Sequence, residues 1–193
     1  MLLYRHMEIS NQTKNLITSR LSMGELIYMP TDTIPGLACS VAALDAIELL
    51  YQLKQRDHKK PPTIIISELH QLTYLSVTLP RTVKSLIEDG WPPRTSYVLE
   101  VQDYDTTLHL HRGRGSLAIR MTADPELKQI IDISGPLATS SANIQDQPPA
   151  TSSEQARKYF GDSIVTYIEH PPIVSSPSAI YRIAEDGSLE QIR

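Results

Sequence analysis

The chain of 193 residues is 40% hydrophobic and 21% charged, which is typical of a folded globular protein. No apolar run approaches the ~20 residues of a membrane span, and the first residues lack the apolar core of a secretory signal, so we expect a cytoplasmic protein without a membrane partner. The formal net charge of −4 argues against a protein that coats nucleic acid non-specifically, because such binding requires many clustered lysines and arginines.

The first half of the sequence predicts alternating helices and strands. Apolar residues at helical spacing and a closing glycine predict a helix over residues 11–23, and a strand is predicted over residues 25–29. Two prolines and a glycine in residues 30–36 predict a rigid turn rich in short polar side chains. A helix over residues 42–53, a buried strand over residues 63–66 and a helix over residues 80–89 follow.

The second half continues the alternation and ends in strands. The predicted strands are residues 97–101, 117–120, a short apolar strand at 136–138, 164–168, 178–183 and 189–192, and the predicted helices are residues 125–131 and 153–160. Asp186-Gly187 is expected to join the last two strands as an antiparallel hairpin. The pattern therefore predicts one α/β domain over residues 1–193.

Two clusters of polar residues are candidates for binding an anion. Lys54 and Arg56 are two positions apart, so on an extended segment both side chains would point the same way and could hold a triphosphate. Residues 139–143 (Thr-Ser-Ser-Ala-Asn) follow an apolar stretch, as when a buried strand ends at a polar, ligand-binding rim; a helix cap or turn is the alternative. The sequence has no glycine-rich phosphate loop, so side chains would have to hold any nucleotide.

Other residues that could bind a ligand or react are weaker candidates for a functional site. Basic residues bunch at positions 54–60 and 109–114, where solvated loops are the alternative to a local anion-binding groove. His109 and His111 could share one face of a strand, but no third ligand is in view, so no metal site is predicted. The single Cys39 excludes an internal disulfide and is expected to be a buried packing residue.

Five short motifs occur in a fixed order along the chain. They are Pro30-Thr31-Asp32-Thr33 followed by Gly36, Leu53-Lys54-Gln55-Arg56, Ser116-Leu117-Ala118-Ile119-Arg120, Ser140-Ser141-Ala142-Asn143, and Pro177-Ser178 with Ile180. In this order they resemble the motifs of the YrdC-like family, and in particular of its threonylcarbamoyl-AMP synthases. The motifs span residues 25–193, and five ordered matches are far more specific than any one of them.

The resemblance implies a fold, a reaction and a set of partners. The fold would be α/β, with a twisted mixed parallel/antiparallel sheet and flanking helices around a large open cavity. The reaction would join L-threonine, bicarbonate and ATP into threonylcarbamoyl-AMP and pyrophosphate, with Mg²⁺ carried by ATP and no metal held by the protein itself. The product would serve synthesis of N6-threonylcarbamoyladenosine in tRNA. Downstream threonylcarbamoyl-transferase proteins, and tRNA or double-stranded RNA bound weakly, are the implied partners.

The resemblance also implies a site, carried over residue by residue. The implied catalytic residues match the family's Lys-x-Arg and Ser-x-Asn signature at the nucleotide, and they are Lys54, Arg56, Ser141 and Asn143. The residues implied to contact threonine or its carbamate are Thr33, Arg120, Thr139 and Ser178. Those implied to bind ATP together with the signature are Lys60, Ser116 and Arg193. We expect Lys54 and Arg56 to lie at a cavity rim. We expect the Arg120 guanidinium to bind the substrate carboxylate through two hydrogen bonds.

Three loops depart from the family pattern. The departures are Pro35, Pro93-Arg94 and Gln145-Asp146. They are expected to change the geometry of the loops that carry them. They leave the four signature residues intact, so an active synthase is the prediction. A non-catalytic, RNA-binding YrdC-like paralogue is the main alternative, and another carbamoyl or nucleotidyl transfer is the second.

Overall fold

A computed structural model describes residues 9–87, 90–184 and 188–193. The strands of this part of the chain are β1 (Ile27–Met29), β2 (Gly36–Ser40), β3 (Thr63–Ile66), β4 (Thr95–Glu100), β5 (Ser116–Met121), β6 (Leu137–Ser141), β7 (Thr166–Tyr167), β8 (Ala179–Ile183) and β9 (Leu189–Gln191). The helices are α1 (Asn11–Ser22), α2 (Leu44–Lys54), α3 (Arg81–Leu86), α4 (Leu108–His111), α5 (Pro125–Ser134) and α6 (Ser153–Phe160), with 3-10 segments at Leu69–Leu75 and Gly161–Ser163.

The strands form one mixed sheet in the order β7-β1-β2-β6-β3-β5-β4-β8-β9. The pairs β1–β7, β3–β5 and β4–β8 are parallel, and the other neighbouring pairs are antiparallel. Sequence neighbours such as β2 and β3 are separated by β6, so strands from distant parts of the chain meet at the centre. The predicted fold class, a mixed sheet with flanking helices, is confirmed.

The two faces of the sheet differ in polarity. On the first face, apolar side chains of the strands pack against α2, α3, α6 and the 3-10 segment Leu69–Leu75 in one large core. On the second face, α1 and α5 pack over only part of the sheet, against side chains such as Ile65 and Leu137. Ala118 and Val98 lie in central strands of that second face and are only half-buried. Because successive side chains alternate between faces, the part of this face beyond α1 and α5 carries Ser116, Arg120 and Thr139.

Local sequence explains where the helices near this face begin and end. The side chain of Asp124 accepts hydrogen bonds from Glu126 N and Leu127 N, both at 3.0 Å, and caps α5, whose first residue is Pro125. Ser10 caps α1 in the same way through Thr13 N at 3.1 Å. These caps fix the start of each helix. None of the helices in the described residues has the length and apolar character of a membrane span.

Most predicted elements are found close to their expected bounds, but the strand predicted to end at residue 138 continues as β6 to Ser141. The sequence pattern did not indicate β2, and the residues around His109 and His111 form the short helix α4 rather than a strand. The end of the predicted helix over residues 80–89 (residues 88–89) and the predicted Asp186-Gly187 turn lie outside the described residues. The antiparallel pairing of β8 with β9 is confirmed.

Candidate functional site

The end of α2 brings Lys54 and Arg56 to the end of β6. Lys54 is the last residue of the helix, and Gln55 adopts a left-handed conformation with φ 49°, so the segment is not extended. The expectation that both side chains point the same way along an extended segment is therefore wrong. Both residues nevertheless reach residues 140–143, because the helix ends directly beside the terminus of β6.

Lys54 holds the turn that follows β6. Its Nζ donates to the carbonyl oxygen of Ser141, to the carbonyl oxygen of Asn143 at 2.8 Å and to Asn143 Oδ1 at 3.0 Å. Ser141 Oγ lies 2.6 Å from the same Oδ1. The Lys54 residue is 2% exposed, so the expected place at a cavity rim is wrong for this side chain. Its three donors are already used within the protein.

Burial changes the acid–base behaviour of Lys54. Desolvation, and secondarily the positive charge of Arg56, lower the pKa of Lys54 to about 7. The three oxygen acceptors around Nζ act in the opposite direction, because they favour the ammonium form. This lysine is thus a buried hydrogen-bond donor whose charge is sensitive to pH near neutrality.

Arg56 is fixed by one hydroxyl and two carbonyl groups. Nη1 donates to Ser140 Oγ at 3.1 Å, Nη2 to the carbonyl oxygen of Pro61 at 2.9 Å, and Nε to that of Lys60 at 3.2 Å. Burial lowers the pKa of Arg56, and the negative charge of Asp57 opposes this shift. The guanidinium is held in one orientation and half-exposed. Lys60 contributes its backbone carbonyl, while its side chain is exposed.

Arg120 forms a buried ion pair on the second face of the sheet. Its Nη1 contacts Asp32 Oδ1, and the two side chains are 3% and 2% exposed. Thr122 Oγ1 donates to Asp32 Oδ2 at 3.0 Å. Arg120 Nε is buried and has no hydrogen-bond partner within the described part of the chain. This nitrogen has almost no accessible surface, so an oxygen ligand could reach it only after neighbouring groups move aside.

Arg193 completes a cluster of three guanidinium groups. Its Nη2 donates to Ser178 Oγ and its Nε to the carbonyl oxygen of Ser178, both at 3.2 Å, and Ser178 Oγ lies 3.1 Å from Ser96 Oγ. Burial lowers the pKa of Arg193, and the charges of Arg56 and Arg120 lower it further. Arg193 therefore lies within electrostatic range of the other two guanidinium groups, and we call Arg56, Arg120 and Arg193 the arginine cluster.

The remaining predicted residues surround this cluster in different ways. Thr139 Oγ1 donates to the carbonyl oxygen of Thr63 at 2.9 Å, and Thr33 Oγ1 lies 3.1 Å from Thr31 Oγ1. Ser116 begins β5 on the same face as Arg120 and is half-buried. The structure brings the predicted residues to one side of the sheet and its end, except for the Lys60 side chain, which has no described contact there.

Three residues at the site were not predicted to belong to it. Asp32 and Thr122 fix Arg120, and Ser96 supports Ser178. Asp32 stands within the Pro-Thr-Asp-Thr motif, so its position was visible in the sequence, but its ion pair with a residue 88 positions away was not. No local pattern signals Thr122 or Ser96.

Gly36 is required by a close approach of two strands. A Cβ at this position would lie 2.7 Å from the carbonyl oxygen of Ser140, which is backbone and cannot rotate away. Gly36 pairs with Ser141 in the antiparallel β2–β6 ladder. The glycine thus lets β2 lie against the part of β6 that Arg56 and Lys54 contact.

The single cysteine and the two histidines that the sequence analysis considered have structural roles. Cys39 is fully buried, and desolvation raises the pKa of its thiol to about 12, so the prediction of a packing residue is confirmed. The His109 and His111 rings contact the carbonyl oxygens of Val41 at 2.9 Å and Tyr104 at 2.8 Å. Their predicted common strand face is wrong, because residues two apart on a helix point in different directions.

Two open surface grooves lie away from the arginine cluster. Their volumes are about 720 Å³ and about 700 Å³, and both include Leu44 and His109 in their lining. The first groove carries the cations Lys59 and Arg112, and Arg112 is paired with Glu48 at 2.6 Å. None of the three arginines of the cluster lines either groove. Because the cluster stands at residues of the sequence motifs, it is the stronger candidate for anion chemistry.

Comparison with known proteins identifies relatives along nearly the whole chain. The Sua5/YciO/YrdC family model, described as "Telomere recombination", matches residues 19–193. A threonylcarbamoyl-AMP synthase of Hahella chejuensis is 30% identical over 176 residues, which cover 90% of this chain and 95% of the relative. The sequence comparison is therefore nearly end to end.

Solved structures share the fold. Escherichia coli YciO matches with a TM-score of 0.83 at 15% identity, over 97% of this chain and 91% of its own. Pyrococcus abyssi Sua5, solved as a complex with L-threonine, matches with a TM-score of 0.82 at 24% identity, over 93% of this chain and 53% of its own. This chain thus spans about half the length of that Sua5 protein.

Proposed function

Because the chain belongs to the Sua5/YciO/YrdC family and is a nucleotidyltransferase-type enzyme, we propose that it is an L-threonylcarbamoyladenylate synthase. It would form threonylcarbamoyl-AMP and pyrophosphate from L-threonine, bicarbonate and ATP, for synthesis of N6-threonylcarbamoyladenosine in tRNA. The observation that carries the proposal is the arginine cluster. All three substrates are anionic or carry a carboxylate, and bringing them together requires cations that offset their repulsion.

The proposed roles follow from where each donor stands. Arg56, fixed at the end of β6, would bind the phosphates, and Arg120, whose Nη1 is held by Asp32, would bind the carboxylate of threonine. The residues proposed to orient threonine or its carbamate are Thr33, Thr139 and Ser178, and those proposed to hold ATP are Lys60, Ser116, Ser141, Asn143 and Arg193. Lys54 would act by holding the turn of Ser141 and Asn143.

The chemistry needs no covalent intermediate on the enzyme. The threonine amine attacks the carbon of bicarbonate, and loss of water leaves the N-carboxy form of threonine. A carbamate oxygen then attacks the α-phosphorus of ATP, the bond to the bridging oxygen breaks, and pyrophosphate leaves. Fixed guanidinium groups stabilise the negative charge that builds up on the phosphates, without reorganising during the reaction.

Mg²⁺ is proposed to arrive with ATP and to neutralise part of the phosphate charge. The site residues offer guanidinium and hydroxyl groups, and the carboxylate of Asp32 is already paired with Arg120. This donor set suits a nucleotide that carries its own metal ion. The residues of the chain then bind and orient the substrates.

The relatives support the substrate assignment. The Hahella chejuensis protein is named as a threonylcarbamoyl-AMP synthase, and Pyrococcus abyssi Sua5 binds L-threonine in its structure. Transfer of the labile product to tRNA would need downstream threonylcarbamoyl-transferase proteins. We expect only weak binding of tRNA or double-stranded RNA, and a cytoplasmic location remains a prediction.

Pyrophosphate release with each substrate omitted in turn tests the proposal. We expect release that depends on both threonine and bicarbonate, and a threonine-dependent rise in melting temperature with ATP and Mg²⁺ present. Valine should not replace threonine, because hydroxyl partners in the site would be left unpaired, whereas serine should lose about tenfold to a hundredfold. Strong, salt-sensitive RNA binding without pyrophosphate release would favour the non-catalytic RNA-binding alternative.

A further inference from the structure

Asp32 joins two distant parts of the candidate site. It lies in the loop between β1 and β2, next to Thr33, and its carboxylate contacts Arg120 Nη1 with one oxygen and Thr122 Oγ1 at 3.0 Å with the other. Arg120 and Thr122 belong to β5 and the residue that follows it. Both carboxylate oxygens are therefore engaged, and both partners lie on the far side of the sheet's centre.

The sheet order shows how far this side chain reaches. Two strands, β6 and β3, separate β2 from β5, so the strand axes are about 14 Å apart at ~4.8 Å per strand. The loop carrying Asp32 must fold over the second face of the sheet to make the contact. Asp32 thus sets the distance between its neighbour Thr33 and Arg120.

The energetics of the pair favour a positioning role over a stabilising one. Both side chains are almost completely buried, and the desolvation of two buried charges consumes much of their mutual attraction. The charge of Arg120 also acts on Arg193 of the arginine cluster. A carboxylate here holds one guanidinium in place and reduces repulsion within the cluster.

We propose that Asp32 is a positioning residue for the amino-acid substrate, holding Arg120 and Thr33 at the separation that threonine requires. The inference rests on the proposed function. It predicts an effect on threonine binding and little effect on ATP binding, because the ion pair and hydrogen bond of the Asp32 carboxylate join it to Arg120 and Thr122 and not to Arg56. Asp32 holds Arg120 by Nη1, and the buried Nε of Arg120 has no hydrogen-bond partner within the described part of the chain.

Asp32→Asn tests the proposal by removing the charge while keeping the shape of the side chain. In steady-state pyrophosphate release we expect the threonine KM to rise about tenfold or more, with the ATP KM within about twofold and kcat within about threefold of wild type. A residue needed only for folding would not separate the two KM values. Glu154→Gln removes the carboxylate of a surface ion pair that is 79% exposed and is the matched control.

Thr122→Val provides a second variant that loses only the hydrogen bond to Asp32 Oδ2. It should raise the threonine KM by about threefold with the ATP KM unchanged, and it decides the question if Asp32→Asn does not fold. An unchanged threonine KM, or parallel rises in both KM values, would overturn the proposal. A lower threonine KM would overturn it too, because Asp32 would then compete with the substrate for Arg120. Wild-type protein without threonine-dependent pyrophosphate release would instead refute the proposed function, and the inference with it.

Discussion

Replacing Lys54 by methionine should change how the stability of the protein depends on pH. Methionine keeps most of the side-chain volume and removes the buried ammonium. Burial lowers the pKa of Lys54 from 10.5 to about 7, so between these values the folded protein has released a proton that the unfolded chain still binds. The stability of the wild type therefore rises with pH across this window. The gain from Lys54 is lost as the pH falls back to about 7.

The size of the effect follows from the shift. At about pH 8.5, the wild type should have gained about 2 kcal/mol from this group, at ~1.36 kcal/mol per pH unit above the folded pKa. The substituted protein lacks the titrating group and gains nothing from it. The destabilisation caused by Lys54→Met should therefore be about 2 kcal/mol larger at about pH 8.5 than at about pH 6.

Urea unfolding of both proteins at the two pH values measures the difference. Lys158→Met removes an ammonium that is 71% exposed and is the matched control; its effect on stability should be the same at both pH values. An equal destabilisation by Lys54→Met at low and high pH would refute the reasoning. It would mean that the Lys54 ammonium is compensated by its oxygen acceptors and is not destabilised by burial.

Three other substitutions test the candidate site by separate measurements. Arg56→Ala should lower pyrophosphate release by about two orders of magnitude with little change in melting temperature, because the half-exposed guanidinium leaves no core cavity; wild-type turnover would exclude a phosphate role. Arg120→Lys should weaken threonine binding in calorimetry, since a point charge replaces a fork, and an unchanged affinity would leave Arg120 a structural role. Gly36→Ala should cost about 2 kcal/mol or more in urea unfolding, because its methyl group would meet the Ser140 carbonyl 2.7 Å away. Wild-type stability would show that β6 can move aside.

Local patterns predicted most elements because local forces specify them. The run Thr-Ile-Ile-Ile of β3 is rich in β-branched residues, and the predicted strand has the observed bounds. The run Gly-Leu-Ala-Cys-Ser of β2 has no such residue, so nothing local marks it as a strand. It becomes one because β1 and β6 pair with it on both sides. Strand formation at β2 is thus a consequence of tertiary pairing.

Sequence by itself determined which chemical groups the protein can use. The order of its motifs identified the family, and the absence of a glycine-rich phosphate loop indicated that side chains would hold the nucleotide. The spacing of Lys54 and Arg56 and the match of Arg120 to the family motifs predicted Arg56 and Arg120 as anion ligands. The exact residue assignments at the site stay predictions, as does the single domain over residues 1–193.

Only the tertiary structure decided which way these groups face. Lys54 turns inward because α2 ends at it, beside the carbonyl groups of the turn after β6. Asp32 meets Arg120, 88 positions away, because its loop folds over the second face of the sheet past β6 and β3. Residue type and short-range spacing carry no information about such contacts. They depend on the order of strands in the sheet, which is set by packing over the whole chain.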